Sequence, residues 1–285
     1  MKRMIDDEFF WFRRNRIVIP GVAGEHRFLH VTDTHISTFD EQSTPEEREE
    51  TEKKEAMWES YKERFARGLL DFAKGNDEPY GDAQRISTVA AFEKILALAQ
   101  ELEPEALLLS GDNLERMHPA GARYLARRLR EYGRPFLCVP GNHEDPECEG
   151  VWSRGVRTMD FGGFRICAVD NGQRTVALAD LDALRAICAE GVPVIVLCHV
   201  PIATAACRAE MAKRIEYFYI DEKSEDENAR AFVELCVQSD AVRAILCGHV
   251  HGYHAMEFAP GKAQIIGSQG MAGAIDLVTV AGSAE

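Results

Sequence analysis

Five stretches of this sequence each follow an apolar run with residue types that bind metals. They are Asp33-Thr34-His35, Gly111-Asp112-Asn113, Gly141-Asn142-His143-Glu144, Cys198-His199 and Gly248-His249-Val250-His251. Imidazole and carboxylate together, without thiolates, suit borderline divalent ions such as manganese, iron, zinc or cobalt. A DxH spacing on a loop lets both side chains turn to one ion. The HxH pair of GHVH can serve one ion or two neighbours. Asp33, His35, Asp112, Asn142, His199, His249 and His251 are too many donors for one tetrahedral site. Two ions sharing one carboxylate would use them all. A pair of ions about 3.5–4 Å apart is the usual clamp for in-line displacement at phosphorus. Gly111, Gly141 and Gly248 each precede a donor, where a missing Cβ permits a sharp turn and close backbone approach.

The elements that must carry these residues are legible around them. RFLHVTD (27–33) alternates and reads as a strand. A long charged segment follows. In it, Thr44 as N-cap, Pro45 in the first turn and Glu47 closing a capping box predict a helix start. Trp58, Tyr61, Phe65, Leu69 and Phe72 then recur at helical spacing, and Gly75-Asn76 would stop the helix. This stripe reads as core packing, with a lid or a subunit contact as the sharper alternatives. From residue 86 helices and continuous apolar strands alternate: STVAAFEKILALAQEL, EALLLSGD, AGARYLARRLREYG, PFLCVPGN, FGGFRICAVD, ALADLDALRAICAEG, VPVIVLCH, ENARAFVELCVQ and AVRAILCGH. The end, HAMEFAPGKAQIIGS and AIDLVTV, reads as short antiparallel strands. Such alternation predicts an α/β sheet covered by helices, with ligands at the carboxyl ends of its strands.

Composition narrows the function classes. The chain has 285 residues, enough for one large domain or a domain with an insertion. Formal net charge is -14, which disfavours DNA or another polyanion as partner. RRNR near the start and RRLR at 127–130 read as solvated surface. An anionic small substrate would need a strong local cation, which again points to a metal. No apolar run approaches the roughly 18 residues of a membrane span. Asp6, Asp7 and Glu8 interrupt the N-terminal apolar segment, which argues against a signal peptide. Eight scattered cysteines without a CxxC pair read as buried reduced thiols. The expected location is the cytoplasm.

The ordered set DTH, GDNLE, GNHE, a lone His after a strand, and GHVH resembles the five motifs of calcineurin-like metallophosphoesterases. The resemblance covers about residues 27–255. Its spacing is most similar to the small bacterial branch that includes cyclic-nucleotide phosphodiesterases. It implies an α/β, two-sheet sandwich (α/β/β/α) flanked by helices, built as a single domain over 1–285 with a helical insertion at about 40–80. It also implies two divalent ions, manganese, iron or zinc. Asp33, His35 and His251 would hold one, and Asn142, His199 and His249 the other. Asp112 would bridge them. A hydroxide between the ions would attack the phosphorus of a small phosphodiester or phosphomonoester.

The same resemblance gives His143 the task of protonating the leaving group or stabilising its charge. Glu115 would orient His143, although the family more often has aspartate there. Arg116 would touch phosphate, with a surface arginine as the competing reading. His26, His30 and His118 read as surface or strand positions, and His254 as a pocket neighbour without a task. Two other functions stay open, a non-catalytic metal-binding scaffold on the same fold and a nuclease. A homodimer is also open, with FFWF (9–12) and the 58–72 stripe as candidate contacts, each of which reads first as core.

Overall fold

Strand β3 (Ala106–Ser110) is buried along its whole length, and its side chains alternate between two cores. Leu107 and Leu109 face a helix-covered layer, whereas Ala106 and Leu108 face a second sheet. That alternation is the plan of the molecule. The structure is a computed structural model that describes residues 8–67, 80–212 and 218–283.

Among the described residues, one sheet has the order β1 (Trp11–Val18), β13 (Ala274–Ala281), β2 (Glu25–Val31), β3 and β4 (Phe136–Val139). The other runs β11 (His254–Ala259), β12 (Lys262–Ile266), β10 (Val242–Cys247), β7 (Val194–Leu197), β6 (Arg165–Ala168) and β5 (Arg157–Asp160). The sets β2-β3-β4 and β12-β10-β7-β6 are parallel. A short pair, β8 (Ile202–Ala203) and β9 (Ile220–Asp221), stands apart, and a helical turn α5 (Arg208–Ala212) lies between them in the chain.

The two sheets meet through Phe28, Leu108, Val139, Ile166, Leu197, Leu246 and Val278. Helices α2 (Thr88–Leu102) and α3 (Pro119–Tyr132) close the outer face of the first sheet with Phe92, Ile95, Leu125 and Leu129. Helices α4 (Leu178–Ala189) and α6 (Glu227–Gln238) close the second with Leu181, Leu184, Phe232 and Val233. The result is four layers, α/β/β/α, as the resemblance implies. Each large aliphatic side chain sealed between layers is worth roughly 1.5–3 kcal/mol.

Helix α1 (Pro45–Ala66) starts as expected. Thr44 accepts from the Glu47 amide, and the Glu47 carboxylate accepts from the Thr44 amide. Trp58 and Phe65 are buried, so this part of the stripe packs on its own chain. Leu69, Phe72 and the Gly75-Asn76 stop lie outside the described residues. Lys62 is buried, and its Nζ donates to the carbonyls of Gln84 and Ile86, which ties α1 to the turn before α2.

FFWF packs in part as core: Phe9 and Trp11 are buried, and Trp11 begins β1, which pairs in parallel with β13. The terminal strands are antiparallel as expected where β11 meets β12 and where AIDLVTV, most of β13, meets β2; the correction is that β13 joins the first sheet, where it also pairs in parallel with β1.

Candidate metal centre

The seven expected donors sit just beyond the carboxyl ends of β2, β3, β4, β7 and β10. Their side chains converge on one cavity of about 220 Å³ whose wall includes His35, Asp112, Asn142, His249 and His251. Three groupings have donor atoms mutually within 4.8 Å: Asp33-His35-His251, His35-Asp112-His143 and Asp112-His199-His249.

The backbone is forced to present them. Asp33 (φ 53°), His35 (42°), Asp112 (48°), His249 (72°) and His251 (54°) all lie in the left-handed region. Each such residue costs on the order of 1–3 kcal/mol and persists only where its surroundings impose it. Part of that imposition is steric. A Cβ on Gly248 would fall 1.8 Å from Thr32 Oγ1 and 2.6 Å from Asp33 Oδ2, so only glycine lets the GHVH loop close on Asp33.

Hydrogen bonds then orient each donor. Asp33 Oδ2 accepts from Thr32 Oγ1 at 2.7 Å and from the His249 amide at 3.0 Å. Its Oδ1 is buried, accepts no hydrogen bond among the described residues, and lies 3.1 Å from His251 Nε2. His199 Nδ1 donates to the Ser110 carbonyl at 2.9 Å, which leaves the Nε2 lone pair facing inward. His35 Nδ1 donates to Glu115 Oε2 at 3.1 Å, with the same consequence for its Nε2. Two pairs of ring nitrogens then face each other at 3.1 Å, His35 Nε2 with His251 Nε2 and His199 Nε2 with His249 Nδ1. Lone pairs at that separation repel unless a proton or a cation lies between them.

The electrostatics make the same demand. Burial pushes the Asp33 carboxyl up, yet His251 and His199 outweigh it and hold the group at about 2. Asp112 is pushed up by burial and pulled well below the carboxylate range by His199 and His35. Burial lowers His199, but Asp112 and Asp33 overcome it and raise the ring to about 9. Burial and the neighbouring His199 drive His249 down to about 3. Two buried carboxylates side by side therefore call for positive charge close to them. The donor set fits divalent cations in number, type and orientation.

Asp112 occupies the middle. Its Oδ2 lies 3.3 Å from His199 Nε2 and 3.8 Å from His35 Nε2, one imidazole from each expected group. Asn142 Oδ1 is 3.2 Å from His199 Nε2. His143 is on the cavity side, with its Nδ1 donating to the Glu115 main-chain carbonyl at 2.8 Å and its amide bonded to Asp112 Oδ1. Its Nε2 is 3.9 Å from Asp112 Oδ2.

Glu115 and Arg116 behave differently from the sequence reading. The Glu115 carboxylate faces His35 at 3.1 Å and is 3.5 Å from His143 Nδ1, so its main chain is the nearer partner of His143. Arg116 turns away from the cavity and pairs with Glu50 of α1 at 2.6 Å, with its side chain 54% exposed. The acidic helix supplies a partner that draws the guanidinium outward.

Other histidines sort simply. His30 is buried in β2 against Ser110 Oγ at 2.7 Å. His26 pairs with Glu105, and His118 precedes α3. His254 begins β11 and does not line the cavity.

Three supporting residues were missed by sequence reading. Asn171, just past β6, accepts from the His199 and Val200 amides. It is another polar residue beyond a strand end, so the same rule finds it. Trp58 and Tyr61 line the cavity from α1. They were visible as a helical stripe, but nothing local said what the stripe faces.

A four-layer sandwich with imidazole, carboxylate and amide donors gathered beyond the carboxyl ends of both sheets defines the metallophosphoesterase class of architecture. The chain belongs to the calcineurin-like phosphoesterase family, whose model matches residues 26–253. A probable cyclic nucleotide phosphodiesterase of Psychrobacter sp. is 34% identical over 61 residues, 21% of this chain and 18% of that protein. One of Synechococcus sp. is 34% identical over 79 residues, 26% of this chain and 31% of that protein. The matched stretches thus span less than a third of these relatives. A dimetal phosphatase from Danio rerio shares the fold at a TM-score of 0.51 and 9% identity, covering 88% of this chain and 91% of that one.

Proposed function

We propose that the protein hydrolyses a small phosphodiester or phosphomonoester with two divalent cations, manganese, iron or zinc. The observation that carries this reading is the position of Asp112 Oδ2 between His35 and His199. Asp33, His35 and His251 would hold one ion, Asn142, His199 and His249 the other, and Asp112 both. When bound, such ions supply Lewis acidity toward phosphoryl oxygens and lower the pKa of water to near neutrality.

The chain's own residues do the rest. His143 in its doubly protonated form donates through Nδ1 to the Glu115 carbonyl and delivers its Nε2 proton to the departing ester oxygen as the P–O bond breaks, leaving neutral imidazole. Trp58, Tyr61 and Phe218 give one wall of the cavity an apolar surface. A cavity of about 220 Å³ suits a small ester group. The names of the Psychrobacter and Synechococcus relatives support trying a cyclic nucleotide first.

This reading takes 1–285 as one domain carrying the 40–80 insertion, supported by an inter-sheet core that draws on strands from both ends of the chain. Cytoplasmic residence is supported by eight buried, unpaired thiols. Nucleic acid is disfavoured by the charge of -14.

The test is turnover of a chromogenic phosphodiester and a chromogenic phosphomonoester with added manganese, with Asp112→Asn alongside. Turnover that falls by more than about 100-fold in the variant, beyond the cost of losing a supporting partner, supports the reading. A folded, metal-loaded protein inactive on both esters and on cyclic nucleotides sinks it in favour of the scaffold.

A further inference from the structure

The two donor groups are not supported alike. In the first group, each imidazole reaches α1 through its outer nitrogen. His251 Nδ1 is 2.8 Å from the Tyr61 hydroxyl. His35 Nδ1 binds Glu115 Oε2, and Trp58 Nε1 donates to that same oxygen at 2.9 Å. Lys54 Nζ, one helical turn earlier, lies 2.7 Å from Glu115 Oε1. The Trp58 ring also lies over His35, with centroids 4.2 Å apart. The second group draws its support from elsewhere. His199 is held by the Ser110 carbonyl of β3 and through its amide by Asn171. Gln173 reaches the Asn142 carbonyl, and Phe218 packs on His249 at 5.2 Å.

We propose that Lys54, Trp58 and Tyr61 of α1 are positioning residues for one cation only, the one held by Asp33, His35 and His251. The proposal rests on the reading of the cluster as a two-cation centre. Its physical basis is that a ligating imidazole needs its outer N–H fixed to set both tautomer and ring direction. With His251 Nε2 turned inward, Nδ1–H donates to the Tyr61 oxygen. Glu115 plays that part for His35, but a carboxylate at 2% exposure needs donors of its own. Trp58 donates to it, and the Lys54 ammonium pairs with its other oxygen as a counter-charge. The helix sits in the long connection between β2 and β3, so this insertion adjusts the occupancy of one subsite and leaves the other to the sheets.

The experiment is manganese binding to the full metal-stripped chain, measured by titration calorimetry and by bound metal after equilibrium dialysis. Wild type is compared with Tyr61→Phe, Trp58→Phe and Lys54→Met, all checked for folding by circular dichroism. Wild type is expected to bind two ions. Each variant is expected to bind one ion unchanged and the other about 10- to 100-fold more weakly. In a His35→Ala background, which removes the first subsite, Tyr61→Phe is expected to add nothing. Wild type binding two ions with all three variants indistinguishable from it overturns the role of α1 and leaves the two-cation reading standing. Equal weakening of both ions overturns it too, because that marks general loosening. Wild type binding fewer than two ions overturns both. Lys54 is partly exposed, so its variant keeps the test decisive if Trp58→Phe fails to fold.

Discussion

A Cβ placed on Gly141 would fall 2.1 Å from Asp112 Oδ1 and 2.4 Å from the Asp112 main-chain nitrogen. The loop carrying Asn142 and His143 thus touches the central carboxylate with no room for a methyl group. The second contact is to backbone, and the carboxylate oxygen of the first is held by the His143 amide at 3.1 Å. Gly141→Ala is expected to cost about 1–3 kcal/mol of stability, the usual range for overpacking. It is also expected to displace Asp112, so manganese binding falls along with stability. Urea denaturation and metal titration of the same sample check this, and a variant with wild-type metal affinity contradicts it.

Glu144 holds the same loop to its neighbour. Its Oε1 accepts from the Leu114 amide at 2.7 Å and its Oε2 from the Gly141 amide at 2.8 Å. The group is buried. Glu144→Gln keeps the shape but turns one acceptor into a donor facing an N–H. The expected loss is about 1–3 kcal/mol, the cost of a buried unsatisfied group. Burial and the nearby Asp112 push this carboxyl up to about 8, so denaturation midpoints above that pH, where both oxygens accept, measure the loss, and one indistinguishable from zero contradicts the clamp.

Away from the centre, Glu93 of α2 joins Arg128 of α3. Hydrogen bonding from Arg128 pulls the Glu93 carboxyl below its ordinary value, with Tyr124 adding to the effect against burial. A carboxyl lowered by folding stabilises the fold above its unfolded pKa, and that contribution disappears as pH falls through the folded value. Glu93 is 39% exposed, so solvent screening limits the gain to under about 1 kcal/mol. Glu93→Gln is expected to be less stable than wild type at pH 7, with the gap closing below about pH 4. A gap that persists or widens in acid reverses the sign and excludes this origin.

Chemistry was more legible in the sequence than packing was, for a physical reason. The donors follow strands whose apolar runs are local and continuous, so Asp33, Asp112, Asn142, His199 and His249 announce themselves by type and position. β1 did not, because WFRRNRIV mixes arginines among apolar residues and its partner, Ala274–Ala281, is at the far end of the chain. Arg116 followed a motif but answered to Glu50, which lies on an insertion outside that motif. Trp58 and Tyr61 were read as a stripe whose target only the fold supplies. The left-handed backbone at five donors was equally hidden, since no glycine marks those positions.

His143 and Arg116 make a contrasting pair for the last prediction. His143 lines the cavity, with Nδ1 fixed by the Glu115 carbonyl and Nε2 free. Arg116 is exposed and paired with Glu50. Arg116→Ala is expected to leave kcat/KM unchanged and to shift stability by less than about 1 kcal/mol, the worth of a surface pair. His143→Ala is expected to lower kcat by about 10²–10⁴-fold on esters with poorly stabilised leaving groups, because those need a proton as the P–O bond breaks. Esters of nitrophenol leave as stable anions and need that proton less, so their loss is expected to be much smaller. Comparing an alkyl and a nitrophenyl ester on the two variants measures both effects. Equal losses on the two esters remove the proton-donor role from His143 and leave it only a part in holding the phosphoryl group, whereas a large loss in Arg116→Ala returns that arginine to the site.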